Sequence, residues 1–358
     1  MRPARRAIRL TSSPPATVSA RRSNGSRVMT ICKPSSPTLW HRSAGYNAPH
    51  LTFADPLETA SDRARGGLAW RDGTMTNPIK WLLAGIITVV ALIGAGSVIR
   101  DRREPLAPTE IFEGITYGCK RLDTTEEGNG LVYWARVDLT APGVELYVTP
   151  LDPAAVARGW QYRLRRIEDV VDNERLAVAI NATLFTSNSG WWPRMSGDLA
   201  NSVETVVANH VVSHVWEHTY LLWFDEQLTP YLRPSKPPTA AELFRAKWGI
   251  GGQGVWLRDG SVWAGADRAP DSRTAVAVDP SRKLLFLAVG ENISPRLMLQ
   301  ELADLGAKEG MLLDGGGSSS MAIGKGAAGV SAGILYGGWR PVATHFGVRA
   351  QPVSVKGR

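Results

Sequence analysis

The chain has 358 residues and a formal net charge of +8, and this length fits one large domain or two small ones. The basic excess is confined to residues 1–73, which hold 12 Lys and Arg against 4 Asp and Glu, while the remainder holds 29 of each sign; a basic face for nucleic acid is therefore excluded from the folded part. The two cysteines, Cys32 and Cys119, exclude a disulfide framework, because Cys32 lies in the N-terminal tail.

Residues 1–74 are rich in Arg, Ser and Pro and have no sustained apolar periodicity. Such a composition cannot bury a core, so a disordered tail is one interpretation of this segment. The alternative is an extension produced by a start codon assigned too early, in which case Met75 is the true start. The sequence that follows Met75 favours this alternative.

An apolar run from Trp81 to about Ile99 follows a short, weakly positive start. We therefore predict an N-terminal apolar helix within residues 75–104. It is either a signal sequence, with a small-residue cleavage site at Ala95-Gly96-Ser97, or a membrane anchor through residues 81–99, because about 20 apolar residues span a bilayer.

Three arginines, Arg100, Arg102 and Arg103, come directly after the apolar run. Basic residues at such a position tend to stay cytoplasmic, which argues against simple export, and both the cleaved signal and the uncleaved anchor stay open. Either one places the protein in the cell envelope, anchored in the membrane or secreted to the periplasmic or extracellular side. A buried core helix is the remaining alternative.

After a linker, residues 110–350 predict a single α+β domain, with a mixed, mostly antiparallel sheet and a few helices. Strands are predicted over 131–139, 143–148, 176–180, 203–207, 211–224, 274–278 and 284–289. Helices are predicted over 164–171, over 240–247 and from Ser294 to Gly306. The last helix has Ser at its N-cap, Pro at its first position and Gly after its end.

The strongest candidate site is the stretch from Met311 to Met321, in which an apolar strand runs into an aspartate, three glycines and three serines. Glycines tolerate positive φ, so their N–H groups can converge into an anion-binding nest, and the serines add hydroxyls. A carboxylate beside such donors suits a substrate with both a sugar and a phosphate, whereas the alternative is a flexible Gly/Ser loop. The residues concerned are Asp314, Gly315, Gly316, Gly317, Ser318 and Ser319.

Two further segments offer groups that recognise sugars. Asn181 ends an apolar strand, where it orients a substrate hydroxyl or caps a turn. Trp191 and Trp192 lie in a loop of Gly, Ser and Pro, which is either a lid that stacks on a sugar or a loop folded back on the domain.

Two arginines are candidates for binding phosphate. Arg273 enters a strand, and Arg is the residue suited to bidentate contact with phosphate; an ordinary surface ion pair is the alternative. Arg340 lies near the end of the domain, in a segment that also carries a His.

Three histidines, His210, His214 and His218, are spaced at intervals that would align them on a helix. The residues between them read as strand, on which the three would span about 26 Å. This is too far for one ion, so we expect no metal site, and the sequence indicates no other cofactor.

Taken together, these segments resemble the phosphodiester glycosidase family over about residues 110–350. The most specific match is Leu313 to Met321. The weaker matches occur in the family's order: Gly251-Gly252 followed by Asp259-Gly260, Arg273-Thr274-Ala275, Glu301-Leu302-Ala303 with Leu305-Gly306-Ala307, and Arg340-Pro341-Val342. Two departures stand out, since the family's Asn-Gly-Gly-Phe-Phe is here Asn181 to Phe185 with Ala182 and Thr183, and Thr344-His345 replaces an expected Asn.

The resemblance implies hydrolysis of a sugar-1-phosphodiester in an envelope or exopolysaccharide glycan. Asp314 would act as base, nucleophile or oxocarbenium stabiliser, with Arg273 and Asn181 as the other catalytic residues. Glu204 is a candidate second carboxylate, and the glycine turn, Arg340 and the paired Trp would bind substrate. The rivals are a non-catalytic carbohydrate-binding protein on the same fold, which the loss of both glycines fits, and a phosphodiesterase that cleaves on the phosphorus side.

Overall fold

The computed structural model describes residues 17–23, 26–32, 106–124, 126–189, 194–216, 220–233, 238–263 and 269–354. They belong to one compact unit, which comprises Met1–Ser35 and Pro105–Arg358. The predicted apolar helix of residues 75–104 lies outside the described ranges, as does most of the 1–74 extension. Within these ranges, no helix has both the length and the apolar character needed to cross a bilayer.

Short strands make up most of the described structure. In chain order they are β1 Thr17–Ser23, β2 Ser26–Cys32, β3 Leu106–Phe112, β4 Ile115–Thr124, β5 Gly128–Asp138, β6 Glu145–Val148, β7 Tyr162–Arg163, β8 Val178–Asn181, β9 Phe185–Ser187, β10 Leu199–Ser202, β11 Val206–Ala208, β12 Val211–Val212, β13 Tyr220–Phe224, β14 Pro230–Arg233, β15 Trp248–Gly252, β16 Gly254–Arg258, β17 Ser261–Val262, β18 Asp271–Asp279, β19 Leu284–Ile293, β20 Glu309–Leu312, β21 Met321–Ile323, β22 Gly333–Tyr336 and β23 His345–Arg349.

The helices are few and short, and each of the three longer ones overlaps a helix predicted from the sequence. They are α1 Pro153–Val156, α2 Ile167–Glu174, α3 Ala240–Arg245 and α4 Pro295–Asp304, with a 3-10 turn at Gly316–Ser318. The predicted start of α4 is confirmed, because the Ser294 hydroxyl accepts the Leu297 N–H at 3.0 Å and Pro295 takes the first helical position.

The strands form four sheets. Their orders are β14-β13-β15-β11-β12-β1-β2, β7-β10-β9, β17-β16-β20-β18-β19-β5-β4-β3 and β22-β21-β8-β23-β6. Each strand pairing among the described residues is antiparallel, so the predominance of antiparallel pairing is confirmed and the predicted mixture of directions is not seen there. A few helices on mostly antiparallel sheets agree with the predicted α+β class.

One continuous core joins the three larger sheets. It includes Val276 and Leu287 of the eight-stranded sheet, Ile180 and Phe346 of the five-stranded sheet, and Phe224 of the seven-stranded sheet. Helix α4 covers the opposite face of the eight-stranded sheet with Met298, Leu299 and Leu302. Burial on both faces explains why β18 and β19 are apolar over most of their length instead of alternating.

The predicted strand over 211–224 is wrong as a single element, because the structure has β12 and β13 with a break between them. Directly after β12 the chain still bonds to the residues around the start of β11, but it is no longer a regular strand. Ser213 N–H donates to the Val206 carbonyl at 2.9 Å, and Trp216 N–H donates to the Thr205 hydroxyl at 3.1 Å.

Candidate active site

The Asp314 turn is the passage of the chain from one sheet to another. β20 ends at Leu312 in the eight-stranded sheet, and β21 begins at Met321 in the five-stranded sheet. Leu313 N–H donates to the Thr274 carbonyl at 2.9 Å, and Asp314 N–H donates to the Ala182 carbonyl at 2.9 Å. The backbone of Asp314 is therefore fixed between β18 and the residue that follows β8.

The Asp314 carboxyl is mostly buried, with a relative exposure of 9%. Burial raises its pKa to about 6, because removal from water disfavours the charged form. The Ser318 hydroxyl, the positive charge of Arg194 and the Gly315 N–H each oppose this rise by favouring the carboxylate. A carboxyl with a pKa near neutrality, beside hydroxyl and N–H donors, is typical of a functional site.

The glycine turn after Asp314 forms a 3-10 helix at Gly316–Ser318, and Gly316 has a φ of 60°. Ser318 N–H donates to the Gly315 carbonyl at 3.3 Å, and Ser319 N–H donates to the Gly316 carbonyl at 3.0 Å. These two N–H groups are therefore engaged inside the turn and do not contribute to the predicted anion nest. The Ser319 hydroxyl is buried and has no hydrogen-bond partner among the described residues.

Two guanidinium groups approach the glycine turn. A Cβ at Gly315 would lie 3.9 Å from Arg273 Nη1, and a Cβ at Gly317 would lie 3.2 Å from Arg340 Nη1. Glycine at 317 thus permits a close approach that a side chain would hinder. Arg273 Nη2 also donates to the Ala269 carbonyl at 2.7 Å, which fixes the orientation of this side chain. The structure therefore brings both predicted arginines to the Asp314 turn.

A third arginine, Arg194, was not identified from the sequence. Its charge acts on the Asp314 carboxyl, and its guanidinium carbon lies 4.8 Å from the centre of the Phe185 ring. The loop that carries it is held by Asp198, whose carboxylate accepts the Met195 N–H at 2.8 Å. The sequence signal for Arg194 was its position directly after Trp191-Trp192-Pro193. Only the aromatic residues of that loop were proposed to bind substrate.

Asn181 is fully buried, and its amide links three segments. Its Nδ2 donates to the Asp314 carbonyl at 2.7 Å, while its Oδ1 accepts the Thr274 hydroxyl at 2.7 Å and the Ser320 N–H at 3.0 Å. The amide therefore holds the backbone at both ends of the glycine turn. The geometry assigns Asn181 a positioning contact with Asp314 through the backbone, and its predicted catalytic role stays a prediction.

The two residues that depart from the family pattern, Ala182 and Thr183, are buried beside Asn181. The Thr183 hydroxyl lies 2.7 Å from the Thr344 hydroxyl and 2.8 Å from the Ser202 hydroxyl, and Thr183 N–H donates to Thr344 Oγ1 at 3.0 Å. Hydroxyl groups thus fill this region with satisfied hydrogen bonds. Thr183 and Thr344 both stand where the family usually has another residue, and their hydroxyls are hydrogen-bonded to each other.

Glu204 joins the same network through its backbone. The Ser202 hydroxyl donates to the Glu204 carbonyl at 2.8 Å, and the relative exposure of Glu204 is 9%. Glu204 is therefore a buried carboxylic residue whose backbone is linked to Thr183 through the Ser202 hydroxyl.

His345 lies opposite Asn181 in the register of β23 with β8. It is completely buried, and burial together with the positive charge of Arg165 lowers its pKa to about 3. The imidazole is therefore neutral, and its Nδ1 lies 3.4 Å from the Thr149 hydroxyl. His345 therefore places a neutral imidazole on the strand next to Asn181.

The histidines that are evenly spaced in the sequence do not converge. His210 bonds to the Ala246 carbonyl and to Glu226, whereas His214 bonds to Gln161 and to the Val203 carbonyl. His218 lies outside the described residues, as do Trp191 and Trp192. In the part of the chain that the structure describes, no group of His, Cys, Asp or Glu is placed to hold a metal ion.

Comparison with known proteins gives one family. The family described as phosphodiester glycosidase matches residues 174–349, which include Asn181, Arg273, Asp314 and Arg340. No curated protein matches the chain.

Two solved structures are similar to the chain in overall fold. The catalytic domain of zebrafish N-acetylglucosamine-1-phosphodiester alpha-N-acetylglucosaminidase, auto-inhibited by its pro-peptide, is 14% identical with a TM-score of 0.49; the match covers 71% of this chain and 93% of that one. A hypothetical protein from Synechocystis is 15% identical with a TM-score of 0.48, and the match covers 70% of this chain. The present chain spans 64% of the length of the Synechocystis protein.

Proposed function

Residues 174–349 match the phosphodiester glycosidase family, and from this premise we propose that the chain is a hydrolase that cleaves the glycosidic bond of a sugar-1-phosphodiester. One observation carries the proposal. The buried Asp314 carboxyl, with a pKa of about 6, stands at the start of a glycine turn that both Arg273 and Arg340 approach. A carboxylate for the sugar and two guanidinium groups for the phosphate are thereby brought to the same turn.

The reaction breaks the bond between the anomeric carbon and the bridging phosphate oxygen. Water supplies a hydroxyl group to the anomeric carbon and a proton to the medium or the departing group, and the phosphate leaves as a phosphomonoester. Phosphate is a good leaving group, so the main requirement is stabilisation of charge on its oxygens. Arg273 and Arg340 provide this positive charge beside the glycine turn.

Asp314 acts on the sugar side of the bond as an ionised carboxylate. It serves as base, nucleophile or stabiliser of the positive charge that develops at the anomeric carbon. Its pKa of about 6 means that it is mostly ionised at neutral pH yet close enough to neutrality to exchange a proton. Asn181 holds the Asp314 backbone, and Glu204 is the candidate for the second carboxylate.

The substrate in this proposal is a phosphodiester-linked glycan of the cell envelope or of an exopolysaccharide. The apolar residues 81–99 support a location in the envelope, either as a membrane anchor or as a signal for export. The balance of charges beyond residue 73 supports a glycan partner over nucleic acid.

The test uses the full chain and an N-acetylglucosamine-1-phospho-hexose diester in water enriched in oxygen-18, with the products followed by mass spectrometry. We expect free N-acetylglucosamine that carries the label and unlabelled hexose phosphate. Label in the phosphate would instead show cleavage on the phosphorus side, and sugar binding without any release would indicate a carbohydrate-binding protein. Both results would overturn the proposal.

Two matched variants locate the chemistry. Asp314→Asn should lower sugar release by at least about 100-fold, the lower end of what loss of a general acid or base costs. Asp304→Asn is the control, because Asp304 is an exposed residue at the end of α4 whose carboxylate accepts the Gln300 amide at 2.9 Å. Full activity in Asp314→Asn would remove Asp314 from the mechanism.

A further inference from the structure

Trp339 is a large aromatic residue that the fold leaves exposed beside the candidate site. Its relative exposure is 59%, although burying a Trp side chain would be strongly favourable. Its ring lies against the glycine turn, because a Cβ at Gly317 would be 3.4 Å from Trp339 Cζ2. The neighbouring Arg340 approaches the same glycine.

The loop that carries Trp339 has a defined backbone. Gly337 and Gly338 have φ values of 63° and 80°, a conformation that side chains strongly disfavour. A Cβ at Gly337 would collide with the Ser319 carbonyl, and one at Gly338 would lie 2.9 Å from Ile334 Cδ1. The indole is therefore presented to solvent by a turn that is packed against the glycine turn.

The far end of this loop is also fixed. Arg165 N–H donates to the Val342 carbonyl and Val342 N–H donates to the Arg165 carbonyl, each at 3.0 Å. Val342 and Ala343 are buried in a small apolar cluster with Leu164. The loop that carries the indole is thus held at Gly337-Gly338 and at Val342, so little conformational entropy is lost when a ligand binds to it.

Trp339 lies at the end of the glycine turn that Arg340 also approaches. Asp314 and Gly315 form one end of the turn, while Gly317, with Arg340 and Trp339, forms the other. A diester whose phosphate is held by Arg340 at Gly317 therefore has Trp339 within reach of one of its ester groups, because the indole approaches the same glycine.

We propose that the exposed face of Trp339 stacks on the sugar of the leaving group, the part of the diester that lies beyond the phosphate from Asp314. This inference rests on the proposed function and adds a leaving-group subsite to it. An indole suits this ligand because a pyranose ring offers an apolar C–H face, while its hydroxyls stay in water. The subsite favours diesters in which phosphate links two sugars over those with a small alcohol.

The experiment compares two substrates that share N-acetylglucosamine 1-phosphate, one esterified to a hexose and the other to methanol. In the full chain, Trp339→Ala should lower the ratio of kcat/KM for the hexose diester over the methyl diester about tenfold, which corresponds to about 1.4 kcal/mol. Trp339→Phe should retain most of the ratio. Trp263→Ala is the matched control, because Trp263 is similarly exposed at 58% and stacks with Arg258 instead of the glycine turn.

Equal losses on both substrates, or no loss on either, would overturn the inference. If the unaltered chain hydrolyses neither diester, the proposed function fails, and binding then tests the subsite separately. Trp339→Ala should weaken binding of hexose 6-phosphate about tenfold in calorimetry and leave binding of inorganic phosphate unchanged. Equal weakening of both ligands, or no weakening, would reject the subsite.

Discussion

Replacing Asp314 by Asn should stabilise the folded protein, and the gain should depend on pH. Asn has nearly the same shape as Asp but does not ionise, so it removes the cost of holding a charge in a mostly buried place. Its amide oxygen can still accept the hydrogen bonds from the Gly315 N–H and the Ser318 hydroxyl that now reach the carboxylate. The variant therefore separates the charge from the packing.

The size of the effect follows from the pKa of Asp314. Its ordinary value is 3.8 and its value in the fold is about 6, so between these limits the folded state binds more protons than the unfolded state. The stabilising contribution of the protonated carboxyl is complete below about 3.8 and is lost as the pH rises to about 6. At about 1.36 kcal/mol per pKa unit, the loss amounts to about 3 kcal/mol.

The assay is urea unfolding of the two proteins between about pH 3.5 and about pH 8, with the free energy of unfolding compared at each pH. The advantage of the variant should grow by about 3 kcal/mol from the acid end to the neutral end. Contributions from other titrating groups cancel in this difference. A constant difference across the range would show that the Asp314 pKa is ordinary and would refute the environment described above.

Three other predictions concern the same region. Asn181→Ala should lower the free energy of unfolding by about 3 kcal/mol in urea titration, because it leaves buried hydrogen-bonding groups at both ends of the glycine turn without their partner. Thr183→Val should cost about 1–2 kcal/mol in the same assay, because the hydroxyls of Thr344 and Ser202 lose a shared partner; an unchanged midpoint would contradict the network. His345→Gln should flatten the loss of stability as pH falls from 6.5 to about 3, because only the unfolded state protonates the wild-type imidazole in that window; acid unfolding followed by circular dichroism measures this, and an unaltered profile would argue against a neutral histidine.

Local sequence signals predicted the elements that position the site. The sequence predicted the Ser294-Pro295 start of α4, the strands at 274–278 and 284–289 that are β18 and β19, and an apolar strand leading to Asp314, because capping chemistry and apolar runs act over a few residues. The break between β12 and β13 was missed, because the contacts of Ser213 and Trp216 with the residues around the start of β11 join separate segments of the chain. Periodicity does not record such partners.

The site itself depends on contacts between segments that are distant in the chain. Asn181 reaches Thr274 and Ser320, Thr183 reaches Thr344, and Arg194 acts on Asp314. The sequence shows these residue types, but it does not show which of them pair, because spacing along the chain does not determine contacts between distant segments. Thr183 shows the consequence, because its sequence position marks it only as a departure from the family pattern, whereas the structure shows its side chain buried in a hydroxyl network.

We propose that the chain cleaves the sugar–oxygen bond of a sugar-1-phosphodiester through Asp314. The most direct measurement follows oxygen-18 from water into the products of the N-acetylglucosamine-1-phospho-hexose diester, for the full chain and for Asp314→Asn. The account predicts label in the released sugar and loss of that release in the variant. Label in the phosphate, or undiminished release by Asp314→Asn, would contradict it.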